Sequence, residues 1–315
     1  MLTLARYTLK GPYQAAAIVA LLAVLAVFLP LVVPRTPGMF MLSVLCSAAL
    51  QFLSCTLVGL IILTQGSASG LKPIAASIVG ISLVGWALID MPALGVTTGL
   101  VQWLPIILLA QTLRSTRSLA LTLMAGAVLG AIAIGLQYLI MGDLQAELAQ
   151  MMKQRIGSAG EMNQEVVEGI DHLARGLVVT MTSMTFIVFV LILLVARWLQ
   201  ARIADSKAFG AEFRALAFGK YPAIVTAAIV GASLLLQLDW LDSLGHLAMS
   251  MFMLQGIAIL HHRMLPVRQG SAVLGAYYIL LFLVWAIVMP LTAITGMADN
   301  WFAFRKNTEG STDLN

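Results

Sequence analysis

The sequence predicts an all-α polytopic integral membrane protein, and three observations carry that prediction. Hydrophobic residues make up 60% of the 315 positions, charged residues only 10%, and the mean hydropathy is +0.96. Soluble domains are about a quarter charged. The apolar residues also fall in runs of span length, separated by short segments that hold most of the Lys and Arg. A chain this apolar has no polar shell to offer water, so its solvent is lipid. Its net charge of +4 then reads as topogenic and not as a nucleic-acid footprint.

The elements follow in order. A short basic start (Arg6, Lys10) precedes a first span at 13–33, which lacks a small-x-small cleavage site and therefore reads as an uncleaved span. Within it, Ala16 and Ala20 form a small-xxx-small pair that permits close helix approach. A turn at 34–38 leads to a second span at 40–63, and a Gly/Ser linker at 65–70 to a third at 73–89. The fourth, 92–110, contains Gly95-xxx-Gly99 and Pro105, which should kink it. The fifth, 118–140, contains Gly126-xxx-Gly130. Cys46 and Cys55 lie nine residues apart on one predicted helix, about 13 Å along its axis, and cannot bridge.

Segment 142–176 breaks the pattern: it is charged, with apolar residues at helical spacing in two pieces around Gly157-Ser158-Ala159-Gly160. It fits either an amphipathic extracytoplasmic hairpin or extensions of the flanking span helices. A sixth span at 177–196 ends at the basic stretch 197–220, whose apolar residues Phe209, Phe213, Leu216 and Phe218 suit a membrane-surface helix. Spans at 221–238, 244–260 and 271–294 complete about nine, within a range of eight to ten. The expected organisation is a six-span unit over 1–200, a basic cytoplasmic hinge at 201–220, a three-span unit at 221–295 and a polar tail at 296–315. With the N-terminus inside, the inner segments hold twelve Lys and Arg against six outside, as the positive-inside rule requires. Nine spans put Arg305 and Lys306 among the outer six, whereas a cytoplasmic tail needs an even number of crossings.

Catalytic signatures are missing. The chain has no Walker A loop, HExxH, CxxC or Gly-x-Ser-x-Gly, so it is expected to be neither an ATPase nor an enzyme, and to carry no metal or cofactor. His261 and His262 are adjacent on a helix and share no face. No predicted span holds a charge near its centre, which weighs against a proton-coupled pump. Glutamines do occur within or beside spans, at Gln51, Gln102, Gln111, Gln137, Gln237 and Gln255. Each can line a pocket for an uncharged or zwitterionic solute or bridge helices. The candidate ligand-binding residues are Asp90, Gln102, Trp103 and Gln137. Candidate contacts to lipid or a partner are Ala16, Ala20, Arg202, Lys207, Phe213 and Arg214.

Three stretches carry a resemblance: Phe209-Gly210-Ala211-Glu212-Phe213-Arg214-Ala215-Leu216, then Gln255-Gly256-Ile257-Ala258 leading to His261-His262, and the tail from Gly296 through Asp299-Asn300-Trp301 to Arg305-Lys306. They resemble YybS-like bacterial membrane proteins and, distantly, the S components of energy-coupling-factor transporters. Ala303 stands where that family commonly has an Asp. The resemblance implies a bacterial inner (plasma) membrane location, a six-span unit, and Ala16 and Ala20 as the small pair facing an energising module. Two classes of function are therefore expected: small-solute binding or transport without an ATPase of its own, or a cell-envelope scaffold that binds a membrane-protein partner. Neither involves nucleic acid.

Overall fold

The computed structural model describes residues 1–33, 36–157 and 163–305. The expected turn at 34–38 and break at 157–160 lie partly outside the described residues, and the tail beyond Arg305 wholly so. The described chain is helical, with no strand. In order it forms α1 (Leu2–Thr8), α2 (Pro12–Val32), α3 (Pro37–Gln65), α4 (Ser67–Ile89), α5 (Leu94–Thr98), a π-helical turn (Gly99–Trp103) and α6 (Leu104–Thr116). There follow α7 (Leu119–Met141), α8 (Leu144–Gly157), α9 (Gln164–Ile203), α10 (Ala208–Arg214), α11 (Lys220–Leu236), α12 (Asp239–Met264), α13 (Gly270–Leu283) and α14 (Trp285–Phe302). Seven helices among the described residues are long and apolar enough to cross a membrane: α2, α3, α4, Leu94–Thr116, Leu119–Ile140, α9 and α12.

The chain divides into two compact units, each discontinuous in sequence: Met1–Thr122 with Val188–Ala211, and Leu123–Ile187 with Glu212–Asn315. In the first, α3 is the axis, buried on every side from Ser54 to Leu63. A helix that is hydrophobic all round belongs in an interior. Small residues bring its neighbours close. A Cβ at Gly59 would lie 3.1 Å from Ile106 and 3.2 Å from Ala196. The Ala16 carbonyl accepts the Ser77 hydroxyl at 3.0 Å, and Ala20 lies beneath Gly80, so this pair seats α2 on α4. Gly95 and Gly99 do the same between α4 and the α5 region, where a Cβ on Gly95 would be 2.0 Å from the Ile78 carbonyl oxygen.

Two local expectations in this unit change. The linker 65–70 shrinks to Gly66, whose φ of +80° ends α3. The kink expected at Pro105 takes the form of the π-helical turn just before it. A proline cannot donate to the preceding turn, and a widened turn accommodates the loss. Beyond the fourth expected span, α6 remains helical through Arg114, whose Nη1 donates to the Leu63 and Thr64 carbonyls at 2.8 and 2.9 Å. A cation there satisfies the open C-terminus of α3.

In the second unit the axis is α12, buried on every side from Ser250 to Ile259. Asp239 and Asp242 occupy its first helical turn, where carboxylates favour the positive end of the helix dipole. Segment 142–176 forms helix in two pieces. Its first piece is the separate helix α8, and its second continues unbroken into the sixth span as α9. The two pack through Ala149, Ile170 and Ala174, flanked by Leu148 and Met152.

The ninth expected span, 271–294, is divided at Val284, where φ is −128° and ψ 46°. The chain reverses there. Tyr277 on α13 bonds Thr292 on α14 at 3.0 Å, almost symmetrically about Val284. His261 on α12 meets Tyr278 on α13 with ring centroids 6.0 Å apart. Thus α13 runs against α12, and α14 runs back alongside α12. Arg305 thereby returns to the hinge, and its Nη1 donates to the Arg214 carbonyl at 2.8 Å. Placing Arg305 on the face opposite Arg214 is therefore corrected: both lie at one end of this unit.

Candidate functional site

The second unit holds an open cleft with a volume of about 410 Å³, bounded by α7, α11 and α12. A glycine brings two of its walls together. Gly130 lets α7 approach α12 so closely that a Cβ there would lie 3.0 Å from Leu247. On the α7 side of the gap stand Met124, Ala127, Val128 and Ala131; Val225 and Ile229 of α11 and Leu244, Ala248 and Met251 of α12 complete the walls. The only hydroxyl side chains in the lining are Tyr221 and Thr226. Tyr221 sits at the start of α11 and is 85% exposed, and Val128 and Val225 are also exposed, so the cleft opens along its side.

A polar knot fixes the segment that leads into this cleft. Gln255, fully buried on α12, accepts from the Phe218 N–H at 3.0 Å and donates to Asp299 at 3.2 Å. Asn300 Oδ1 accepts from the Gly219 N–H at 3.0 Å. Arg305 donates to Asp299 Oδ2 through Nη2 at 2.6 Å, and to the Leu216 carbonyl at 2.7 Å. Segment 214–219 is not helical beyond Arg214, and its backbone groups find these side chains instead of helix partners. Asp299 is 8% exposed, and a carboxylate at that depth requires the guanidinium beside it. The knot works only because α12 and α14 touch. A Cβ on Gly256 would lie 2.2 Å from the Thr292 carbonyl oxygen, and one on Gly296 2.1 Å from the Phe252 carbonyl oxygen.

The residues expected at a ligand site are dispersed. Asp90 is exposed at the left-handed C-cap of α4. Gln102 and Trp103 lie in the π-helical turn. Trp103 is fully buried, and its Nε1 and Gln102 Oε1 have no hydrogen-bond partner among the described residues. Nearby, the Cys55 thiol points to the Gln102 carbonyl at 3.9 Å. Gln137 belongs to the other unit. Among the expected contact residues, Arg202 and Lys207 are exposed in the first unit, while Phe213 and Arg214 belong to the second. Phe213 sets its ring edge-to-face against His261 at 5.6 Å, and Arg214 lends its carbonyl to the knot.

Sequence reasoning missed the cleft because apolar lining residues look like any other residues of a span. It noticed the knot only in part, as one span glutamine and a tail motif. The available signal was Asp299-Asn300 followed by Arg305 at the end of an apolar run. No family model, curated protein or solved structure matches the chain.

Proposed function

We propose that this is a multi-pass protein of the bacterial plasma membrane that binds and moves a small apolar or amphipathic molecule. It performs no catalysis of its own and, lacking a nucleotide site, draws any energy from a partner. The observation that carries the reading is the 410 Å³ cleft, which falls within the range of small-molecule sites and is lined as such sites are. Its apolar walls favour a ligand with a hydrocarbon part over the polar solute that span glutamines would bind. In this reading the chain crosses the membrane eight times, with α13 and α14 as a returning hairpin. The 14 residues of α13 reach about 21 Å, short of the roughly 30 Å hydrocarbon core. The N-terminus, the hinge and Arg305 then share the cytoplasmic side, and the positive-inside asymmetry grows. The likeness of the hinge and tail motifs to YybS-like proteins accords with this assignment.

The test is solvent extraction and mass spectrometry of small molecules that co-purify with the parent protein and with Val225→Trp, which fills the open edge of the cleft. A molecule retained by the parent and lost from the variant is expected. Equal retention by both, or nothing retained by either, would remove the cleft from the proposal.

A further inference from the structure

Resting on that reading, we infer that the occupant of the cleft is an anionic phospholipid drawn from one leaflet, with an acyl chain between α7, α11 and α12 and its headgroup at Lys220. Three features converge on this. The first is length. Along α11 the lining runs from Tyr221 to Ile229, about 12 Å at 1.5 Å per residue. Half of a hydrocarbon core is about 15 Å, so the cleft occupies a single leaflet. A ligand crossing the membrane through a continuous pore would need lining over the whole span, and the remainder of α11, to Leu236, takes no part.

The second feature is the polarity along the cleft. At one end the lining residues are the apolar Ile229 and Leu244, and at the other stands Tyr221, with exposed Lys220 next to it in sequence. A tyrosine with an apolar ring and polar tip belongs at headgroup level. A lysine there attracts anionic headgroups and leaves zwitterionic ones nearly indifferent. The third feature is positional. Gly219, held by Asn300, and Phe218, held by Gln255, immediately precede Lys220. The polar knot thus fixes the backbone at the start of α11, from which the cation projects one residue before the cleft-lining Tyr221. The side opening at Val128 and Val225 lets a chain enter laterally from the bilayer without desolvating the headgroup.

The experiment is native mass spectrometry of the full chain in detergent, titrated with phosphatidylglycerol or phosphatidylcholine carrying identical chains. The parent should retain one phosphatidylglycerol in preference to phosphatidylcholine. Lys220→Gln should reduce that preference about fivefold while leaving retention of phosphatidylcholine unchanged. Val225→Trp should lose both lipids. If Val225→Trp keeps both, lipid binds elsewhere and the cleft reading falls with this one. If Val225→Trp loses both but the parent shows no headgroup preference, or Lys220→Gln preserves it, the headgroup assignment falls and the cleft reading stands. A parent that retains neither lipid overturns the phospholipid assignment alone.

Discussion

Gly296→Ala tests the contact on which the second unit depends. The added methyl would meet the Phe252 carbonyl oxygen at 2.1 Å and the Gly256 nitrogen at 2.8 Å. Both are backbone atoms and cannot rotate away, so relief requires the two helices to part. Moving that contact from 2.1 Å to the 3.4 Å at which ordinary contact begins opens the pair by about 1.3 Å. Overpacking of this kind costs about 1–3 kcal/mol. Alanine returns up to about 1 kcal/mol of helix propensity. The separation also lengthens the bonds from Gln255 to Asp299 and Asn300, three and four residues beyond Gly296, and each buried group left unsatisfied costs about 1–3 kcal/mol more. A net loss of about 2 kcal/mol lowers the melting temperature by roughly 4–8 °C for a unit of this size. The assay is thermal unfolding in detergent, followed by loss of the monodisperse peak. Gly275→Ala on α13 is the control, because nothing lies within 4 Å of its Cβ position. If Gly296→Ala melts with Gly275→Ala at or above the parent, close apposition of α12 and α14 is wrong.

Two further outcomes are expected from the same unit. Arg305→Met should cost about 3–5 kcal/mol because it strands the buried Asp299, and adding Asp299→Asn should recover part of the loss; strict additivity in the double-mutant cycle would contradict a coupled pair. In a cysteine-free background, Arg268→Cys and Phe304→Cys should label from the same side of the membrane and Glu147→Cys from the other, since Arg305 meets Arg214 at the end of α12 remote from Gln145 and Asp239. Labelling of Phe304→Cys together with Glu147→Cys would restore the single ninth span.

Class and approximate boundaries were legible in the residues themselves. Apolar runs of 20 residues, bounded by Arg, Lys, Gly and Pro, have one physical solution in lipid, because a helix satisfies its own backbone. For the same reason α2, α3 and α7 begin and end within a few residues of their expected limits. The amphipathic spacing of 142–176 also predicted helices there, because one face must be covered, by Ala149 and Ile170 in the event.

What the sequence did not carry is where one apolar face meets another. Lipid and a packed helix present nearly the same solvent to Val225, so hydropathy cannot tell a cleft wall from a lipid-facing surface. Nor can it separate Gly296, where a methyl would strike backbone, from Gly275, where one meets nothing. The reversal at Val284 lies inside an uninterrupted apolar run and became visible only when Tyr277 met Thr292. The residues thus determined that this is a helical, membrane-type chain and where most of its helices lie. Tertiary structure alone decided that Asp299 and Arg305 are buried together with Gln255, that the tail returns to the hinge, and that a cleft opens between α7, α11 and α12. Helix formation is satisfied locally, residue by residue, whereas clefts and polar knots arise from contacts between segments that are distant in the chain.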